Sequence, residues 1–494
     1  MESRCVAVSA SPATTLSQPP AWVRDAVVYQ IFPDRFRRSA RVAQQQGLPL
    51  QPWGTTPDAT GFQGGDLFGL IDGLDHLQAL GVSCLYLNPI FSSAANHRYH
   101  TYSYFEVDPL LGGDAAFDAL VVALKQRQMR LILDGVFNHC GRGFWAFHHL
   151  LENGSASPYA DWFVAEQWPL RAYPAHGEAC GYHSWWCDPA LPKFNHANLQ
   201  VREHLLAAAE HWLQRGIDGW RLDVPDEVEP SFWLEFRRRV RAVNPEAWIV
   251  GEIWGDARAW LGGVHFDGVM NYRIAWSTLG WVADGRLQPG HARAAIPYGC
   301  LSGDHYRDVL LETLGWYRPE VNQAQLNLLD SHDVPRALHM LQGDVGALQL
   351  ALVLLFCLPG VPCLYYGSEA GLSGGAEPHC REAFPWGNPA DWPQDLRMFL
   401  ASLAALRRQQ PALRGTEIEI EVLPGPQGDQ GLRLRRWPQG GEAALEVVLN
   451  RSRHLALPLE HANRRVLWPP DQAGLCAPRS LAVQSALVVS TTEA

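Results

Sequence analysis

Short apolar runs rich in β-branched and aromatic residues alternate with amphipathic stretches along most of the chain, the pattern of parallel strands joined by helices. Runs at 27–32, 82–87, 130–137, 219–224, 248–253, 268–271, 326–329 and 362–366 predict eight strands. Between them a helical period is readable at 67–80, 115–128 and 201–215. Eight alternating units predict an α/β fold of the closed (β/α)8 TIM-barrel type rather than an open sheet.

The pattern breaks twice. After the third run, about sixty residues rich in Trp, Tyr, His and Gly precede the helix that starts near Asn198, far more than an ordinary strand-to-helix loop. Such a stretch is expected to form a small inserted domain on the active-site face. Beyond about residue 410 the runs shorten, at 417–422, 431–436, 443–450, 465–467 and 482–489, and Pro/Gly-rich turns between them predict an all-β domain. The division that follows is a tail at 1–21, a barrel at 22–138 and 196–410, an inserted domain at 139–195, and a C-terminal β-sandwich domain at 411–494.

Composition narrows the partners. A net charge of −11 over 494 residues, with no dense Lys/Arg patch, argues against nucleic acid and leaves neutral ligands. The most apolar stretch, 346–358, is too short to span a membrane and runs into Pro359. The first twenty residues lack the apolar core of a secretion signal. Ten cysteines are scattered without metal-ligand spacing, so packed, reduced thiols and a cytoplasmic location are expected. Nearly all basic residues are Arg; the only lysines are Lys125 and Lys193.

In a barrel of this type, chemistry is carried at the C-terminal strand ends. Four predicted strands end in polar clusters: Asp134-Gly-Val-Phe-Asn138-His139, Arg221-Leu-Asp223, Glu252-Ile-Trp254 and Asp330-Ser-His332-Asp333. Taken singly, each has an ordinary structural reading, since an Asp at a strand end caps the next helix and a lone His is a satisfied core residue. Their joint order on separate strands is what points to chemistry. Cleaving a glycosidic bond needs a proton for a poor leaving oxygen and negative charge beside an oxocarbenium-like carbon. Asp223 lies two residues beyond Arg221 and so on the same side of its strand, where the guanidinium is expected to keep it ionised. The apolar neighbours of Glu252 are expected to raise its pKa and suit it to proton donation. Asp333 and His332 are placed to grip sugar hydroxyls and stabilise positive charge. Asp134 is read as a catalytic group or a support beneath the site.

These segments resemble the α-amylase family of glycoside hydrolases from about Trp22 onward. DGVFNH, GWRLDV, GEIW and LLDSHD match its four main motifs in order, GVPCLYYGSE resembles its eighth-strand motif, and GGDLFGLIDGLDHLQALGVSCLYLNPIF its first helix and second strand. The resemblance implies Asp223 as nucleophile, Glu252 as acid/base and Asp333 as transition-state stabiliser. It further implies Arg221, His139 and His332 as ligands of the sugar that is cleaved, with Tyr99 of HRYH stacked beneath it. Leu191-Pro-Lys193-Phe-Asn195 and FNHCGRGFWAFHHLLENGSASPYADWF are similar to the neopullulanase, cyclomaltodextrinase and maltogenic amylase branch. Glu227 matches a glutamate of that branch implied to bind acceptor sugars, although Pro225-Asp226 precede it here. His100 stands where an Asp is common.

Many α-amylases hold a structural calcium with an Asp where this chain has Lys193, a compact cation that can substitute for the metal. The branch's other calcium loop reads Arg37-Arg38-Ser39-Ala40-Arg41 here. Asn138 matches a family calcium ligand, but no metal and no cofactor are expected. Branch members carry a β-sandwich ahead of the barrel that helps form swapped dimers. This barrel opens near residue 22, so a monomer or a non-swapped oligomer is expected. The function read from the sequence is retaining hydrolysis of α-1,4-glucans: maltooligosaccharides, cyclodextrins, pullulan or starch. Trp254 joins the substrate-binding residues, and Trp185, Trp186 and Trp386 are further candidates for the cleft. The alternatives are a 4-α-glucanotransferase using the same intermediate and a non-catalytic glucan-binding protein.

Overall fold

The computed structural model describes residues 18–42, 47–290, 297, 299–387, 392–425, 428–438, 441, 444–459 and 464–493. Most of the expected tail, 1–17, and position 443 of a predicted strand lie outside them. Eight parallel strands close a barrel in sequence order: β1 Val28–Ile31, β2 Cys84–Leu87, β3 Arg130–Gly135, β4 Gly219–Leu222, β5 Trp248–Gly251, β6 Gly268–Asn271, β7 Leu326–Asn327 and β8 Val361–Tyr365. Closure is made by β1 against β8, with Val28 opposite Cys363. Most strands stop short of the predicted C-terminal limit, because the last residues of those runs leave the ladder to form the site.

The barrel is buried on both sides, which is why its strands read as continuous apolar runs. Gly219 is required at the start of β4: a Cβ there would lie 2.2 Å from the Trp248 carbonyl oxygen of β5. Outside the barrel, helices Leu67–Ala79 and Leu199–Gln214 are started by Asp66 and Asn198, whose side chains accept from first-turn N–H groups. Helix Val345–Cys357 is apolar all round because it lies between helix Tyr272–Val282, helix Gln394–Gln409 and the C-terminal sheet.

Between β3 and helix Leu199–Gln214, the inserted segment is built round helix Trp145–Asn153 and four isolated bridges, His139 with Lys193, Phe163 with Phe194, Ala165 with Tyr182 and Ser184 with Pro192. Its interior is aromatic, with Phe144, Phe147, Trp162, Phe163, Tyr182 and Phe194 all buried.

The C-terminal domain contains β9 Ile418–Gly425, β10 Gly428–Arg436, β11 Leu445–Asn450, β12 Leu457–Pro458, β13 Arg464–Trp468, β14 Ser480–Leu481 and β15 Ser485–Glu493. Five form a sheet in the order β13-β15-β11-β10-β9, and β12 pairs with β14. Buried arginines fasten this domain to the barrel. Arg436 donates to the Cys357 and Gly415 carbonyls, and Arg451 to those of Trp281 and Leu301 at 2.9 and 3.0 Å. Cys357 and Trp281 lie in the last turns of their helices, where carbonyls lack intrahelical partners. A guanidinium, with five fixed donors, suits that task better than an ammonium.

Candidate active site

Strand register brings the key side chains together. Asp134 of β3 is opposite Arg221 of β4, and Leu222 is opposite Gly251 of β5. The ladder then continues one bond further on each strand: the Asp223 N–H donates to Gly135 O at 3.0 Å and the Glu252 N–H to Leu222 O at 2.9 Å. Asp223 and Glu252 are therefore the first residues past the ends of adjacent strands. Immediately after Asp223 the chain turns through Val224, at φ 36°, a left-handed conformation that a β-branched residue rarely adopts. The turn aims the Val224 N–H at Glu252 Oε2, 3.2 Å away.

Arg221 is the centre of charge. Fully buried, it places Nη1 2.7 Å from Asp134 Oδ1 and 3.0 Å from Asp223 Oδ1, and Nη2 2.8 Å from Glu252 Oε2. The contact to Glu252 is an ion pair rather than an aligned hydrogen bond. One cation thus faces three carboxyl groups that are 1%, 6% and 5% exposed. Like charges so placed cannot all ionise easily. Burial raises the Glu252 carboxyl from 4.5 to about 7, with Arg221 opposing. Burial also pushes Asp223 well above the ordinary carboxylate range, and Arg221 is the main influence pulling it down. The expectation that Arg221 keeps Asp223 ionised thus named the opposing force and left out the larger one, desolvation. Asp333 adds its negative charge to both.

Asp134 sits under this pair as a support. It accepts from Tyr86 and Tyr99 at 2.8 Å each as well as from Arg221. The Tyr99 hydroxyl also lies 2.5 Å from His332 Nε2, and the two rings are parallel at 5.4 Å. Tyr99 is thus in the site, with its ring packed along His332. His332 is held by Gln30 Nε2 at 2.9 Å and by Asn88, and its Nε2 lies 3.3 Å from Asp333 Oδ2. Arg381 bonds the His332 carbonyl at 3.0 Å and approaches Asp333 at 3.7 Å. On the opposite side, Trp254 Nε1 donates to Glu252 Oε1 at 3.0 Å, and its ring lies flat on Tyr272 at 4.0 Å. His139 is buried and pushed down to about 3 by desolvation, hence neutral at ordinary pH. Among the described residues no partner meets its Nε2 with ordinary hydrogen-bond geometry, and its ring stacks on Trp185 at 5.4 Å.

Glu227 lies further out and half exposed, paired with Lys193 Nζ at 2.8 Å. Trp386 is elsewhere: it packs with Phe36, Phe384 and His76. Gln30, Tyr86, Asn88, Tyr272 and Arg381 were not singled out from the sequence. A signal existed for two of them, since Tyr86 and Asn88 are two apart and share the face of β2 that points to the site.

The residues at the position where many α-amylases hold calcium fit that ion poorly. Among the described residues Asn138 Oδ1 is buried without a partner, but the adjoining bridge brings in the ammonium-bearing Lys193. Calcium takes six to eight oxygens, and among the described residues no group of three or more His, Cys, Asp or Glu could hold a metal. No described helix is long and apolar enough to cross a membrane.

Comparison with known proteins agrees with this architecture. Residues 30–389 match the α-amylase catalytic domain. The chain is 39% identical over 443 residues to a cyclomaltodextrinase of Geobacillus thermopakistaniensis (strain MAS1), covering 89% of this chain and 71% of that one. The crystal structure of a Thermus thermophilus protein is 43% identical with a TM-score of 0.87, covering 96% of this chain and all of the other. The cyclic α-maltosyl-(1→6)-maltose hydrolase of Arthrobacter globiformis, in complex with that sugar, is 35% identical with a TM-score of 0.84 and the same coverage. By its barrel, its sequence and its relatives, the chain belongs to the α-amylase family of glycoside hydrolases, in the branch of cyclomaltodextrinases and maltogenic amylases.

Proposed function

We propose that this chain hydrolyses α-1,4-glucosidic bonds in maltooligosaccharides, cyclodextrins or related glucans with retention at the anomeric carbon. The observation that carries the reading is the single buried guanidinium of Arg221, which holds the carboxyls of Asp223 and Glu252 side by side. A retaining pair works at about 5–5.5 Å separation, and one guanidinium contacting both carboxyls, at 3.0 Å to Asp223 and 2.8 Å to Glu252, supports such a pairing.

In this reading the two carboxyls share one proton, which rests on Glu252 in the competent state. The Asp223 carboxylate attacks the anomeric carbon as the glucosidic C–O bond breaks, and Glu252 gives its proton to the departing oxygen. Glu252 then takes a proton from water, whose oxygen displaces Asp223 from the glucosyl ester. Asp333 and the oxygen-rich floor around Asp134 stabilise the positive charge that develops on the sugar. Arg221, His139, His332 and Tyr99 hold the reacting ring, and Trp254 orients Glu252. When a sugar hydroxyl replaces water, the same intermediate gives transfer. The Lys193–Glu227 pair at the rim supports acceptor binding and keeps this second reading in play.

The described cysteines form no disulfide, which supports a cytoplasmic setting. Asp223→Asn tests the assignment: activity on maltotriose should drop by roughly 10³- to 10⁵-fold with the circular dichroism spectrum retained. Parent-level hydrolysis by that variant defeats the reading. Chains longer than maltotriose at early times shift it to transfer.

A further inference from the structure

The N-terminal end of the barrel carries a cavity that the mechanism does not use. Its volume is about 300 Å³, and it lies where the end of helix Gly113–Gln126 meets the starts of β3 and β4. Its buried lining is apolar: Val121, Leu124, Met129 and Leu131 are each at most 8% exposed. Lys125, Arg130 and Asp218 supply charge at its edge. Catalysis in a (β/α)8 barrel belongs to the opposite, C-terminal end, so the reaction does not account for these groups.

Gly216 keeps the cavity open. At φ 104° the backbone there favours glycine, and a Cβ would stand 3.1 Å from Lys125 Nζ and 3.2 Å from Val121 Cγ1. Arg130 is held in place, its Nη1 donating to Asp218 Oδ1 at 2.6 Å and its guanidinium 5.0 Å from the Trp22 ring. Asp218 Oδ2 in turn accepts the Leu131 N–H at 2.9 Å. Lys125 is the unmatched member. Of the two lysines among forty basic residues, Lys193 pairs with Glu227, whereas among the described residues the Lys125 ammonium has neither an ion pair nor a hydrogen bond.

Two cations against one carboxylate leave one positive charge uncompensated. A phosphate ester, at about −1.5 to −2 near neutral pH, would overshoot that charge and crowd Asp218, whereas a carboxylate matches it. The apolar lining calls for an apolar body. A cavity of about 150 Å³ takes a benzene ring, so this one has room for a ring and a short arm.

We propose that the cavity binds a small apolar carboxylate, with its charge between Lys125 and Arg130 and its body against Val121, Leu124, Met129 and Leu131. The site is separate from the catalytic cleft and does not depend on the glucan reading. Titration calorimetry on the full chain tests it, with 3-phenylpropionate and inorganic phosphate as probes, in the parent, Lys125→Gln and Lys125→Arg. The parent should bind 3-phenylpropionate saturably at one site and more tightly than phosphate. Lys125→Gln should weaken that binding about 10- to 100-fold, the worth of a hydrogen bond to a charged group, with Tm and circular dichroism at parent values. Lys125→Arg should stay within about threefold of the parent, since it keeps the charge. No saturable binding by the parent, equal affinity in Lys125→Gln, or tighter binding of phosphate overturns the proposal.

Discussion

Replacing Glu252 by Gln should make the folded protein more stable at alkaline pH while removing most of its activity. Glu252 is 5% exposed, and burial raises its carboxyl from 4.5 to about 7 even though Arg221 pulls the other way. Between these two values the unfolded chain has released the proton and the folded chain has kept it. Folding then takes up a proton, so stability falls as pH rises through the window from 4.5 to about 7. Above the window the loss is complete, and a rise of this size corresponds to about 3 kcal/mol. Gln has the shape of the neutral acid and cannot ionise, so its folded state escapes that loss.

The stability difference between Glu252→Gln and the parent should therefore grow by about 3 kcal/mol from pH 4.5 to pH 8. An unfolding entropy of about 2.1 cal/mol/K per residue gives about 1 kcal/mol/K for 494 residues. The difference then becomes about 3 °C in Tm for unfolding as one unit. If the C-terminal sheet melts separately, the transition to follow is the barrel's, and the shift is larger. Scanning calorimetry of both proteins at pH 4.5, 6, 7 and 8.5 measures it. A Tm difference that stays constant or shrinks with rising pH refutes the reasoning, because the ionised carboxylate would then be as comfortable beside Arg221 as in water.

The same titration should appear in the kinetics. The alkaline limb of kcat/KM should bend near pH 7, where Glu252 loses its proton, and the acid limb should lie above the ordinary carboxylate range, because activity is lost as Asp223 protonates. In Glu252→Gln the alkaline limb should vanish on an aryl glucoside whose leaving group needs no proton; its persistence there assigns the limb to another group. On the reading that Lys193 stands in for a structural calcium, treatment with EDTA should leave Tm and activity at parent values; a lower Tm that calcium restores would contradict this. Glu227→Gln should move Tm by no more than about 1 °C, a half-exposed ion pair being worth about 0–1 kcal/mol. It should also lower the share of transfer products from maltotriose, and an unchanged product pattern removes Glu227 from the acceptor side.

The barrel was legible because doubly buried strands and amphipathic helices write different periods into the chain. Where both faces of a helix are covered, that contrast fades: every residue of Tyr272–Val282 except Arg273 is buried. Strand ends were overrun for a related reason. Asp223 and Val224 continue the alternation of β4, but they have left the ladder, and Val224 turns at φ 36°. The carboxylates were legible as charges in apolar runs. Gln30, Tyr86 and Asn88 carry no charge and sit inside such runs, so little beyond a polar atom in a buried strand marked them. Arg381 could not be read at all, because its partners His332 and Asp333 lie almost fifty residues earlier and meet it only through the loop that follows β8.

What could not be read locally is what violates local rules. Arg221 faces three buried carboxyls, Val224 is left-handed, and among the described residues His139 Nε2 and Trp185 Nε1 are buried without a well-aligned partner. Each feature costs folding free energy, which donors such as Tyr86, Tyr99 and Trp254 offset for the carboxyls only in part. All lie within or beside the same cleft, and a sugar would relieve several at once, its hydroxyls reaching the orphaned nitrogens and the positive charge that develops on it in the transition state facing the carboxyls. A fold under no functional constraint would not gather such features in one place. Their co-location supports the reading in which the three acidic side chains serve a reaction rather than a structural ion cluster, for which Arg221 and Asp134 alone would be enough.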